Sequence, residues 1–279
     1  MLVLSYLQAN ALLKAWQLGQ SVGEASPDLG LSQVAVHLDE DGARFPSSVP
    51  LNWGVLAEIA ADANVCYRVE QGDAYPIRVY SPESDRLYSL YPTLSAPTML
   101  VSGIPMHRIK DTDPWQDTHS KIKALGSLGG RVLDTATGLG YTAILAAQSA
   151  SEVVTVELDP AAQDIARQNP WSQPLFTHPL IRQLIGDCTE VIAAFPEGYF
   201  SRIIHDPPAF SLAGEMYSLA FYRQAYRVLK PNGRIFHYIG NPESKSGASL
   251  TRGAAQRLRQ AGFHRVEPRP GAFGLLAFK

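Results

Sequence analysis

The sequence is poor in the features that mark an exported, membrane-bound or metal-holding protein. Its 279 residues include two cysteines, Cys66 and Cys188, which lie 122 positions apart and form no Cys-x-x-Cys pair. That excludes a disulfide framework and a cysteine-based zinc site, and it suits a reducing compartment. No apolar run approaches the ~18 residues of a membrane-spanning helix. Residues 1–19 are leucine-rich, but Ser5, Gln8, Asn10, Lys14 and Gln17 interrupt them and no basic segment opens them. They read as a folded helix rather than a signal peptide, so a cytoplasmic protein is expected, with no membrane partner. His107 and His119 lack the spacing of a metal site, and no metal is expected. There is no internal repeat and no low-complexity tract. A net charge of −2 argues against an overall basic coat for nucleic acid.

What is present is ordinary globular composition, 46% hydrophobic and 18% charged, in a chain long enough for one large domain and a small companion. Charge is unevenly placed. Residues 223–279 hold eleven Lys or Arg against Glu243 and Glu267, a net of +9, and the remainder carries −11. Such a basic C-terminal region can face an anionic partner such as RNA; it is equally the solvated side of a helix bearing Arg252, Arg257 and Arg259.

The first hundred residues have their own texture. A helix over residues 2–18 precedes a turn at 26–30, alternating segments at 33–38, 65–70 and 75–80, and helical spacing over Trp53–Ala61. Residues 1–100 thus form a small α+β domain, for substrate recognition or self-association into a homo-oligomer. From residue 101 to 279 strands and helices alternate, which implies a parallel sheet. Strands are predicted at Arg131–Asp134, 153–156, Ile181–Ile185, 202–205, 234–239, 263–267 and 272–278. Helices fall at 141–149, 160–167 (with Pro160 in its first turn), 190–195, 213–229 and 249–260. Pro268-Arg269-Pro270-Gly271 is too short for a crossover, so the last two strands form an antiparallel hairpin at one edge.

The turn Asp134-Thr135-Ala136-Thr137-Gly138-Leu139-Gly140 lets backbone approach a ligand and aims the next helix N-terminus at it. Glu157, 19 residues after Gly138, can accept both hydroxyls of a ribose. By itself this suits any nucleotide-like ligand, and Gly138-x-Gly140-x-x-Ala143 also fits a nicotinamide oxidoreductase. Three further features distinguish the readings. Asp187-Cys188 follows the third strand, Asp206-Pro207-Pro208-Ala209-Phe210 ends the fourth, and the terminal hairpin has no use in a dinucleotide-binding sheet.

From about residue 115 to 279, with these motifs in this order, the sequence resembles the class I S-adenosylmethionine-dependent methyltransferases, within them predicted enzymes with an Asp-Pro-Pro fourth motif. The resemblance implies a seven-stranded Rossmann-like α/β sheet with an antiparallel C-terminal hairpin. It implies S-adenosyl-L-methionine as cofactor, with Asp134 beside the methionine part, Glu157 and Leu158 at the ribose, Asp187 at the adenine, and Cys188 lining the adenine pocket. Ala136, Thr137, Gly138 and Gly140 form the cofactor turn; Ala136 stands where the family often has glycine and narrows the room there. Asp206, Pro207 and Pro208 become a stiff acceptor end that holds N–H groups while a lone pair faces the methyl donor. Phe210 is a stacking surface for a planar substrate, one residue later than in amino-methylating enzymes. His205 and His237 are candidate general bases, each also readable as a buried structural histidine. The expected reaction is methyl transfer to a nucleophilic atom, an amino nitrogen first, on an RNA base. The alternatives are a small molecule or protein as acceptor, nicotinamide-dependent oxidoreduction, and aminopropyl transfer, which usually shows a denser glycine motif.

Overall fold

A computed structural model describes every residue except Ser47, Ser211, Leu212 and Glu243, and for Lys245 and Ser246 the backbone alone. Glu243, counted in the charge of the C-terminal region, therefore lies outside the described residues. The chain divides into two compact units, Met1–Trp115 with Ala161–Gln173, and Gln116–Pro160 with Pro174–Lys279.

The first unit is mostly β. It opens with β1 (Leu2–Leu4), α1 (Tyr6–Gln17), β2 (Val22–Ala25), β3 (Val34–Asp39), β4 (Gly42–Arg44) and α2 (Trp53–Ala61). The short strands β5 (Tyr67–Glu70), β6 (Asp73–Pro76), β7 (Arg78–Ser81), β8 (Arg86–Tyr91), β9 (Thr98–Val101) and β10 (Ile104–Pro105) follow. They make three antiparallel sheets, β1-β5-β6, β2-β3-β4 and β10-β9-β8-β7. The helix expected over residues 2–18 is a strand followed by a helix. Ser5 and Gln8 form a capping box that starts α1 at Tyr6, which leaves Leu2–Leu4 extended and paired with β5. The segment expected at 75–80 is split between β6 and β7, since Pro76 lacks the N–H that a continuing ladder needs. Leu12, Val36, Leu38, Leu51, Leu56 and Ile59 are buried at the centre of this unit.

The second unit begins within α3 (Pro114–Leu125) and continues through β11 (Arg131–Asp134), α4 (Tyr141–Ala147) and β12 (Glu152–Glu157). Then come α5 (Pro160–Gln168), which counts with the first unit, α6 (Gln173–Thr177), β13 (Ile181–Ile185) and α7 (Cys188–Val191). The chain ends with β14 (Phe200–His205), α8 (Leu219–Val228), β15 (Leu229–Tyr238), α9 (Lys245–Gln260), β16 (Arg265–Arg269) and β17 (Gly274–Phe278). The seven-stranded sheet has the order β13-β12-β11-β14-β15-β17-β16. Its first five strands are parallel and β17 is antiparallel to both neighbours.

The terminal hairpin is antiparallel, but only β16 lies at the edge; β17 is inserted beside β15. Composition explains the choice. Gly-Leu-Leu-Ala-Phe is buried along almost its whole length and needs neighbours on both sides. Arg-Val-Glu-Pro-Arg carries a proline and three charges, which suit an edge. Leu133, Val154, Ile203, Ile235 and Phe221 form the centre of this unit's core. The strand order reverses between β11 and β14, and ligands of open α/β sheets bind at the carboxyl ends of the strands flanking such a switch.

Candidate active site

The carboxyl ends of the parallel strands bring four acidic residues to one rim: Glu157 on β12, Asp134 on β11, Asp206 just after β14 and Asp187 just after β13. Asp134 is fully buried. Its Oδ2 accepts from the hydroxyls of Thr155 (2.8 Å) and Thr142 (3.1 Å). Thr155 has one hydroxyl proton, so the 2.6 Å contact between Thr137 and Thr155 has Thr137 as donor. This relay fixes the carboxyl group and leaves Oδ1 buried without a hydrogen-bond partner among the described residues. An orphaned buried acceptor of this kind is costly unless a ligand answers it. Burial, reinforced by the charges of Asp206 and Glu157 against the two threonine bonds, pushes the Asp134 carboxyl up to about 8.

The glycine turn closes over the same strand end. Gly138 and Gly140 have φ of +51° and +78°, backbone that glycine adopts without penalty. A side chain at Gly140 would meet Leu175 at 2.6 Å, whereas the space beside Gly138 is open. Thr137 is buried; Ala136 and Gly138 remain partly accessible. Glu157 is half-buried, with Oε2 accepting from the Gly138 N–H (2.8 Å) and Oε1 from the Asp159 N–H (3.2 Å). Its carboxyl group is raised by burial, with these backbone donors pulling the other way. Leu158 is exposed. Asp187 caps α7, its Oδ1 taking both the N–H and hydroxyl of Thr189 at 2.7 Å. Cys188 is buried in the hydrophobic core and its thiol is pushed up by burial, so it stays a neutral thiol.

The Asp206 end is held by a residue that the sequence motifs do not include. Lys121, on α3, is 1% exposed and lies 2.6 Å from Asp206 Oδ2 and 2.8 Å from Asp117. Its ammonium also sits 4.4 Å from the centre of the Tyr238 ring, close enough for a cation–π attraction. Burial alone would lower the lysine, but Asp206 and Asp117 outweigh it and keep it protonated. Asp206 is itself raised by burial, against the pull of Lys121. The available signal was the i, i+4 pair Asp117–Lys121 on one face of a helix, which a sequence alone cannot tell from a solvated ion pair. Pro207 is buried, and the Tyr217 hydroxyl donates to the Pro208 carbonyl (3.0 Å), fixing the chain past the strand. Phe210 is half exposed and packs edge-on against Tyr217.

Of the two readings the sequence offers for His205 and His237, candidate base or buried structural histidine, the geometry favours the second. His205 Nε2 donates to the Met216 carbonyl (2.9 Å), so Nδ1 is the acceptor of the Thr135 hydroxyl (2.8 Å). His237 Nδ1 faces the His205 carbonyl (3.4 Å) and Nε2 takes the Tyr222 hydroxyl (2.9 Å). Both rings are fully buried. Burial brings His205 down to about 3 and holds His237 well below the usual range. Neither has a nitrogen left for a substrate proton. His107 is tied to the Thr98 hydroxyl, and His119 is exposed on α3. Among the described residues no three His, Cys, Asp or Glu side chains are grouped to hold a metal. Among them, too, no helix is long and apolar enough to cross a membrane.

Residues 132–233 match the family model of a methyltransferase domain. The chain is 40% identical over 249 residues to the uncharacterized protein MJ1233 of Methanocaldococcus jannaschii, covering 88% of this chain and 84% of that one. The chain shares a family with the Methanocaldococcus protein, and within it residues 132–233 form a methyltransferase domain. The chain is also 31% identical over 157 residues to polyamine aminopropyltransferase 2 of Streptomyces coelicolor, 53% of this chain but 28% of that protein. A spermidine synthase crystallised with the transition-state analogue AdoDATO has a TM-score of 0.60 at 18% identity, over 75% of this chain and 76% of that one. The spermidine synthase of Thermotoga maritima gives 0.58 at 19%, over 76% and 77%. At such identities these two structures establish the shared fold.

Proposed function

We propose that this protein moves a methyl group from S-adenosylmethionine to an amino nitrogen held at Asp206. The supporting observation is the Asp206 carboxylate. One oxygen is fixed by the buried Lys121 ammonium, and the side chain is still 16% exposed, so its other oxygen can accept an N–H from the acceptor. When bound, the cofactor supplies a methyl group on a positively charged sulfonium. The residues present fit it: the open space beside Gly138 would admit it, Glu157 would take the ribose hydroxyls, and Asp187 would serve the adenine. The orphaned Asp134 Oδ1 answers an ammonium at the methionine end. Asp206 holds the amine so that its lone pair faces the donor and takes up the proton released in transfer. Pro207, Pro208 and the Tyr217 bond keep that end from moving, and catalysis then comes mainly from alignment. Phe210 offers a face to a planar acceptor, for which an RNA base is the leading candidate.

Aminopropyl transfer is the second reading, favoured by the identity to a polyamine aminopropyltransferase over half of this chain. Parallel calorimetric titrations with S-adenosylmethionine, its decarboxylated form, NADH and NADPH separate the readings. Preference for S-adenosylmethionine, with S-adenosylhomocysteine as product on RNA, is the expected result. Preference for the decarboxylated form, with methylthioadenosine released, would assign aminopropyl transfer instead. Binding of nicotinamide nucleotides alone would overturn both.

A further inference from the structure

The other ends of the same strands carry an unusual set of charges. Register places Arg202 on β14 beside Arg234 on β15, Arg234 beside Phe278 on β17, and Phe278 beside Arg265 on β16. Residues in register on neighbouring strands share a face, so three arginines and one aromatic form a row across four strands, about 14 Å long at ~4.8 Å per strand. The guanidiniums of Arg265 and Arg234 lie 3.8 and 5.3 Å from the Phe278 ring centre, one from each side. Stacking holds their planar forks in place while leaving N–H edges for other partners.

Neither Arg202 nor Arg234 pairs with a carboxylate among the described residues. Arg202 is lowered by burial and by the like charge of Arg234. Beside the row runs a groove of about 750 Å³, lined among others by Ser120, Lys123, Arg234, Arg265, Glu267 and Arg269. Its one carboxylate, Glu267, is taken up by Arg265 (3.1 Å) and Arg269 (2.6 Å). Four cations against one anion, in a chain of net −2, is a local excess of positive charge among the residues that line the groove.

We propose that this arginine row and its groove bind the phosphate backbone of single-stranded RNA, as a docking site apart from the transfer site. The inference rests on the RNA arm of the proposed function. The length of the row suits several phosphates rather than one. About 13 Å of strand separates Arg202 from Asp206, so a polymer can engage both ends of the sheet and a single nucleotide cannot.

The test is fluorescence anisotropy of a labelled, unstructured RNA 20-mer against the full-length protein at several salt concentrations. Contact with the four groove cations gives a slope of about −2.8 in log K against log salt, at ~−0.7 per phosphate in single strands. Arg234→Gln with Arg265→Gln should weaken binding at least tenfold at low salt and flatten the slope by about 1.4. S-adenosylmethionine affinity and melting temperature, read on the same variant, should stay unchanged. Lys123→Gln, at an exposed position on α3, should flatten the slope by about 0.7 and serves if the double variant fails to fold. An unaltered slope in the folded variants, or equal competition by inorganic tripolyphosphate, overturns the proposal. Loss of transfer to RNA with docking intact sinks the RNA-methylation reading and leaves the docking site standing.

Discussion

The two ends of one sheet make opposite electrostatic choices. β14 runs from Phe200 through Arg202 to His205 and delivers Asp206; β11 runs from Arg131 to Asp134. At the carboxyl ends Asp134 is fully buried and Glu157 and Asp206 are partly withdrawn from water, with only Asp187 exposed. Among the described residues one buried oxygen of Asp134 has no partner, and Asp206 keeps an open side. At the amino ends the arginines stay accessible and in surplus. Burial makes a charge specific, because an unanswered buried group is expensive. Exposure makes it tolerant of any partner of the right sign. A rim of mostly sequestered carboxylates suits one cationic small molecule, and an accessible arginine row suits a polymer.

The largest effects test the buried end. Asp206→Asn removes the proton acceptor and should slow transfer about 10²–10⁴-fold, with cofactor affinity within several-fold of the parent by calorimetry. Retained transfer would show that Asp206 is not the acceptor-side group. Lys121→Met leaves Asp117 and Asp206 facing one another without a cation. Removing one partner of a buried pair costs about 3–5 kcal/mol, readable by urea unfolding. The Asp206 carboxyl, already raised by burial, should rise further and move the acid limb of the rate–pH profile to higher pH. Lys121→Arg should restore the profile. A loss of stability with an unmoved profile would make Lys121 a purely structural cation.

A smaller effect is expected at Glu157, whose carboxylate already accepts two backbone N–H groups. Glu157→Ala should weaken S-adenosylmethionine binding by about 1–3 kcal/mol, as charge-assisted bonds to the ribose are lost. An unchanged dissociation constant would separate Glu157 from the cofactor and leave it a brace for the glycine turn.

Much of the second unit was legible because its signals are local. Arg131–Asp134 and Ile181–Ile185 match the predicted strands residue for residue. Each is a short apolar run that glycine-bearing turns terminate. The order of β16 and β17 was not legible, because hairpin chemistry fixes which strands pair but not which joins the larger sheet. The first unit was read less well. Its strands are two to six residues long, too short for alternation to show, and β8 to β10 were missed. The positions of the four carboxylates at strand ends could be read from the sequence, because each ends or closely follows a strand signal. The role of Lys121 could not, since it comes from Asp206, 85 positions away in sequence. The sequence left the histidines open between base and buried anchor for a related reason. Standing at strand ends beside Asp206 makes them look poised, while the partners that consume their nitrogens, Met216 and Tyr222, come from the segment that folds back after β14.

The finest test of the contrast between the two ends is Asp134. Its carboxyl titrates at about 8 in the fold and near its ordinary low value once unfolded, so between those limits the folded protein holds a proton that the unfolded chain lacks. Ligand-free stability should therefore fall as pH rises through that window. A cation at Oδ1 favours the ionised form, so binding below about pH 8 must expel a proton. S-adenosylmethionine affinity should rise about fivefold from about pH 7 to about pH 8, following the ionised fraction, and level off above it. Calorimetry in two buffers of different ionisation enthalpy reads the released proton directly, and Asp134→Asn should abolish the release. Affinity that falls with pH would mean that Asp134 donates its proton to an anionic group of the ligand, and the carboxyl end of the sheet would then be no cation site at all.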